Sequence, residues 1–230
     1  MWSLTEDEKQ RLRSAMQGLI NDKTDGMEHF GSIHGGPNGT GPIAPYCPKA
    51  ELDGMADNIC CIHIMPGFLP WHRLYMKQME DALGMALPYW DWTVNGTLPD
   101  LWEGLNPTFR DGVWSKCGEP WNEVKRTNES LPIKQDKEKI IELSFDQKCF
   151  KGFEPMIKVP HDTVHRDIGC EMQGEPQAGF DPIFFLHHTF VDYQWAFWQE
   201  LQRIREGSHL KSIKCGNFCQ TGGRGTEIPS

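Results

Sequence analysis

Six histidines stand in two sets whose spacing suits metal binding. His161 and His165 are four residues apart, and Asp181-Pro182 opens a helix that carries His188 about two turns in. Histidines at i and i+4 share one helix face and can point two imidazoles at one ion. Asp as N-cap and Pro at the first helical position mark where the second helix starts. Three imidazoles from two helices make a metal site with room for a ligand. Upstream, His34, His63 and His72 form a second triplet. A lone His-x-x-x-His pair occurs by chance on helices, but two triplets without matching carboxylates point to a paired site for copper, zinc, nickel or iron. The zinc-protease pattern His-Glu-x-x-His is absent, since Asp162 follows His161.

Several elements must position these side chains. Thr5-Glu6-Asp7-Glu8 reads as a capping box, followed by Leu12, Met16, Leu19 and Ile20 at helical spacing. Residues 31–48 read as loop, with His34 at the start and His29, a surface or supporting residue, just before it. Pro70 falls in the first turn of a helix running to about Leu83, with His72 near its start and Leu74, Met79 and Leu83 expected to be buried. The aromatic, Pro-bounded stretch from Leu87 to Thr93 is expected to be a core-lining turn. From Asn95 to about Gln147 the chain is a polar excursion with a short helix near Gln135–Leu143. Residues 150–160 lead into the His161 helix, and the last long helix runs from Pro182 to about Arg205, burying Phe185, Leu186, Trp195, Trp198 and Leu201. After Gly207 a short tail holds His209, Cys215 and Cys219.

Composition narrows the classes. At 230 residues with 38% hydrophobic and 24% charged content, the expected organisation is one soluble domain, 1–230. A net charge of −9 argues against nucleic acid or an anionic membrane as partner. No apolar run approaches the ~20 residues a spanning helix needs. Eight cysteines, with sequons at Asn38, Asn95 and Asn128, favour a secreted protein, although Met1 to Thr5 carries no leader pattern.

With both triplets placed, the sequence resembles the type-3 copper proteins, which are the tyrosinases, catechol oxidases and molluscan hemocyanin units. The resemblance runs from about Ser32 to Glu206 and rests on Ile33-His34-Gly35, Cys60-Cys61-Ile62-His63, Pro70-Trp71-His72-Arg73-Leu74-Tyr75, Pro88-Tyr89-Trp90-Asp91-Trp92, His161-x-x-x-His165 and Asp181 through His188. It implies a mainly α fold with two copper ions inside a four-helix bundle: the helices of His72, of His161 and His165, and of His188, plus the first helix or the segment near His34. His34, His63 and His72 would hold the first copper; His161, His165 and His188 the second, with His187 beside it. It also implies a thioether from Cys61 to His63 and disulfides Cys47–Cys60 and Cys149–Cys215. Cys117, Cys170 and Cys219 stay unassigned.

The same resemblance implies facing open coordination where O2 binds and where a phenol or catechol can be oxidised to an o-quinone. Asp162 stands where many relatives have Asn; with Glu154 it would hold a water that deprotonates a phenol. Arg166 would steer a substrate carboxylate, and Glu175, in the loop over the site, would favour amine-bearing phenols. Fewer than 45 residues follow His188, too few for the domain that covers the copper pair in hemocyanin units. The expectation is therefore a secreted polyphenol oxidase, with a reversible O2-binding module as the alternative.

Overall fold

Thr5 opens the first helix with a reciprocal cap: Glu8 N–H donates to Thr5 Oγ1 (3.3 Å) and Thr5 N–H donates to Glu8 Oε2 (2.8 Å). The computed structural model describes residues 4–35, 67–105, 124, 126–128, 130–131 and 135–208. Its helices are α1 (Glu6–Asn21), α2 (Met27–His34), α3 (Phe68–Leu83), α4 (Gln135–Phe145), α5 (Phe150–Ile168), the short α6 (Cys170–Gln173) and α7 (Glu175–Ala178), and α8 (Ile183–Ser208). A 3-10 turn spans Asp100–Trp102, and Thr97 and Ser130 form an isolated β-bridge. Among the described residues no strand forms. No described helix is long and apolar enough to cross a membrane.

The core collects one stripe from each long helix. Leu12, Met16 and Ile20 of α1 pack with Met27 and Phe30 of α2 and with Phe68, Leu69, Tyr75, Met76 and Met79 of α3. With the buried His72 between them, those α3 positions recur at three and four residues, so they define one face. Leu74, expected inside, is 61% exposed. It lies two residues past His72, and two steps of ~100° carry it to the far side of the helix. Arg13 ties α1 to the 3-10 turn, donating to the carbonyls of Asp100, Leu101 and Glu103 (2.6–3.1 Å).

The expected turn at residues 87–93 lines the core, with Trp90 and Trp92 each 1% exposed. Trp90 N–H donates to Leu186 O (3.1 Å) and its indole N–H to Asn95 O (3.0 Å).

Two helices differ from expectation. α2 continues through Gly31 to His34, so that histidine ends a helix instead of starting a loop. Gly31 leaves room for the Phe180 ring, since a Cβ there would lie 2.4 Å from it. α5 starts at Phe150 and runs through Pro155 and Pro160, about three turns before the expected helix. Each proline removes one backbone hydrogen bond. Burial of Phe153, Ile157, His161 and Val164 on one face offsets that loss.

α8 is anchored along its length. Asp181 is fully buried; its Oδ1 accepts from Ile183 N–H (2.9 Å), and Arg126 grips both carboxylate oxygens (2.6 and 2.7 Å). Arg73 of α3 pairs with Asp192 (2.6 Å) and lies 3.8 Å over the Trp195 ring. The Trp198 indole N–H donates to Gln147 O (2.7 Å), and Phe153 stacks on the Trp198 ring.

Candidate metal centre

Four helices bring the histidines together. His34 ends α2, His72 lies in the first turns of α3, His161 and His165 share a face of α5, and His188 lies on α8. The fourth helix of the expected bundle is thus the His34 segment. His63, Cys47, Cys60, Cys61, Cys117, Cys215, Cys219 and His209 lie outside the described residues. Cys149 and Cys170 are both disulfide-bonded.

The Nε2 atoms of His161, His165 and His188 form a triangle with sides of 3.1, 3.2 and 3.2 Å. The ring tautomers explain what this triangle wants. His165 Nδ1 donates to Met172 O (2.7 Å), and a carbonyl oxygen only accepts. His161 Nδ1 donates to Asp162 Oδ1 (2.8 Å). In a neutral ring a hydrogen on Nδ1 makes Nε2 a lone pair, so two lone pairs point at each other across 3.1 Å. A cation between them turns that repulsion into coordination. The triangle's corners lie about 1.8 Å from its centre, close to the ~2.0 Å of imidazole–metal bonds, so these three nitrogens would hold an ion together.

The electrostatics agree. Burial lowers His165 to about 4 against the ordinary 6.5, although its bond to Met172 O acts the other way. Burial, then the neighbouring imidazoles, push His188 and His187 well below the usual range. The rings are therefore neutral near pH 7, as ligands must be. Between about pH 6.5 and pH 4 the unfolded chain binds more protons than the folded one, so falling pH removes stability from the metal-free protein across that window. The urea midpoint of metal-free protein is expected to be lower at pH 5 than at pH 7.5; an unchanged or higher midpoint contradicts the burial of these rings.

His187 belongs to the same four-histidine cluster, but its ring stacks nearly parallel on His161 (5.1 Å, 16°) and neither nitrogen has a hydrogen-bond partner. His188 instead lies flat against His72 (4.4 Å, 10°), joining the second triplet to the first. On that side His72 Nδ1 donates to Phe68 O (2.8 Å), which turns its Nε2 lone pair outward from the α3 backbone. The His34 and His72 rings lie 5.7 Å apart, with Phe184 against His34 (4.7 Å) and stacked on His188 (3.9 Å).

The remaining predicted residues fall in three places. Asp162 accepts from His161 and from Lys158 Nζ (2.6 Å), so it orients a ring besides facing solvent. Glu154 is not drawn to Asp162: its carboxylate accepts from the backbone at the start of α3. The physical reason is the helix terminus, whose unsatisfied N–H groups attract a buried anion. Arg166 and Asp162 line a cavity of about 250 Å³ that reaches His34, His161 and His165 between α5 and the 172–178 segment. Glu175 lies in α7, and its side chain falls outside the described ones.

Other supports carried no signal in the sequence. Met172 and Phe68 act through carbonyl oxygens, which every residue has. Gly179 packs on His34: an added Cβ would meet His34 Cβ at 2.7 Å, while the backbone there is ordinary helix (φ −66). Gly179→Ala is expected to cost about 1–3 kcal/mol by overpacking and to weaken metal binding at His34. Gly18→Ala, in α1 with nothing within 4 Å, should stabilise slightly. Parallel thermal melts and copper titrations check the pair; equal behaviour of the two variants would remove Gly179 from the site.

A buried, all-imidazole centre framed by four helices is the architecture of a type-3 copper protein. The chain belongs to that family: it matches the common central domain of tyrosinase over residues 24–138 and 114–201. It is 34% identical over 232 residues to unit G of the hemocyanin beta-C chain of Helix pomatia, covering 92% of this chain and 53% of that one. Its fold superposes on a functional unit of octopus hemocyanin with a TM-score of 0.71 at 29% identity, covering 93% of this chain and 55% of that one. Mushroom tyrosinase shares the fold at 21% identity, with a TM-score of 0.54 and coverage of 84% and 47%. The chain thus spans about half the length of these relatives.

Proposed function

We propose that this chain forms a dicopper centre that binds O2 reversibly, as part of a hemocyanin-like extracellular protein. His161, His165 and His188 hold one copper; His34, His63 and His72 hold the other. The observation that carries this reading is the 34% identity with a hemocyanin unit across nine-tenths of the chain; in superposition the octopus hemocyanin unit is 29% identical and mushroom tyrosinase 21%. It reverses the preference for an enzyme reached from the sequence. The short stretch after His188 carries no weight, because the chain spans only about half of its relatives.

Two Cu(I) ions, when bound, supply the electron pair that reversible O2 uptake requires. The protein's part is to keep the imidazoles neutral, aimed and dry. Asp162 and the Met172 carbonyl hold the α5 rings by their Nδ1–H groups, and such partners orient a ligand and raise its basicity. Phe68 packs edge-on against His161 and Phe184 stacks on His188, an apolar surround of the kind that limits solvent access to a metal site.

Oxidation of phenols or catechols is the second reading, favoured by the cavity that opens beside His161 and His165 with Arg166 at its rim. That volume admits a single aromatic ring, and Arg166 would favour one bearing a carboxylate. The test is to load the chain with Cu(I), cycle the O2 tension, and follow absorbance with and without a monophenol or a catechol. Colour that comes and goes with O2 and survives both phenols supports the carrier. Quinone formation at about 1 per second or faster would move the chain to the enzymes.

A further inference from the structure

Glu154 is buried on α5, 8% exposed, and its Oε1 accepts from the backbone N–H groups of Gly67 (3.3 Å) and Leu69 (3.2 Å). These groups open α3, a helix with no side-chain cap of its own: Gly67 precedes it and Pro70 lacks an N–H. The cap is borrowed from a residue 85 positions away. The Leu69 N–H belongs to the same peptide group as the Phe68 carbonyl, and that carbonyl accepts from His72 Nδ1 at 2.8 Å. A peptide polarises as a unit. An anion at its N–H shifts electron density to its oxygen, which then accepts more strongly. The tightened hydrogen bond from Nδ1–H to the Phe68 carbonyl leaves more density on the opposite nitrogen of His72.

We propose that Glu154 is a positioning residue for the first copper, acting through the Phe68–Leu69 peptide to fix the His72 ring and strengthen its Nε2 as a donor. The proposal rests on His72 being a copper ligand. It gives each metal one carboxylate-backed imidazole. For the second copper Asp162 touches His161 directly; for the first, a peptide group carries the effect of Glu154. It also makes the spacing between α3 and α5 a determinant of the first site.

Glu154→Gln tests this, because glutamine keeps an acceptor oxygen and the shape of the cap while removing the charge. Glu154→Leu removes both. Imidazole NMR of the metal-free protein reads the His72 Nδ1–H resonance and its exchange with water. An anaerobic Cu(I) titration then follows His72 and His188 separately, since Cu(I) is diamagnetic. Glu154→Gln is expected to keep the wild-type melting temperature, move the His72 resonance upfield and speed its exchange. It should weaken Cu(I) at His72 about tenfold and leave His188 unchanged. Glu154→Leu should do the same and lower the melting temperature as well. An unaltered His72 resonance and affinity in Glu154→Gln would reduce Glu154 to a neutral cap and overturn the proposal, as would equal weakening at both histidines. Wild-type protein in which Cu(I) leaves the His72 signal untouched would refute the ligand assignment, while the metal-free comparison still decides the relay.

Discussion

On the proposed dicopper reading, replacing His188 with alanine is expected to reduce copper from two ions to one per chain and to abolish O2 uptake, whereas His187→Leu keeps both. The two residues are neighbours, both buried and both neutral, so type and burial do not separate them. Direction does. His188 Nε2 completes the triangle with His161 and His165 at 3.2 Å from each, while His187 lies back-to-back with the His161 ring. Removing a metal-coordinating imidazole should cost more than the 10–100-fold in affinity typical of its supporting partners. Leucine at 187 loses ring contacts with Trp92, His161, His165 and His188 but no nitrogen of the triangle. Copper analysis and O2-dependent absorbance distinguish the variants, and loss of O2 uptake in His187→Leu with retention in His188→Ala would reverse the assignment.

The second large effect lies at the start of α8. Arg126→Ala should destabilise the protein by about 3–5 kcal/mol, because it leaves the fully buried Asp181 carboxylate without its countercharge. At ~2–4 °C per kcal/mol for a chain of this size, the melting temperature falls by roughly 6–20 °C. Adding Asp181→Asn to Arg126→Ala should recover part of that loss, since the amide still accepts from Ile183 N–H and brings no buried charge. A double-mutant thermal cycle measures the recovery. No recovery would mean that Arg126 acts through packing and not through the carboxylate. Copper binding follows the same order, because His188 stands seven residues into the element that Asp181 begins.

Much of the centre was legible because its chemistry needs particular residue types at particular spacings. His161 and His165 are one helix turn apart, and no fold that keeps that helix can separate them. Asp181-Pro182 announces a helix start, and Thr5 with Glu8 is a cap that closes within one turn. Leu74 and the start of α5 were misread for a common reason. Apolar character and proline are local preferences, and the balance of burial around the whole helix overrides them. The place of Glu154 was not legible for a different reason: a carboxylate seven residues before His161 is free, in the sequence, to serve either side of its helix, and folding brings it to the start of α3.

The sequence by itself determined the histidine triplets, the mainly helical fold and the type-3 copper family, because ligand identity and helix periodicity are written in residue types and short spacings. Only the tertiary structure decided which imidazole nitrogens converge, that Asp162 and the Met172 carbonyl hold the α5 rings, that Gly179 packs on His34, and that Glu154 caps α3. Those contacts join residues up to 145 positions apart through backbone carbonyls, backbone N–H groups and a missing side chain. Such groups are present at nearly every position, so only folding singles out the ones that act.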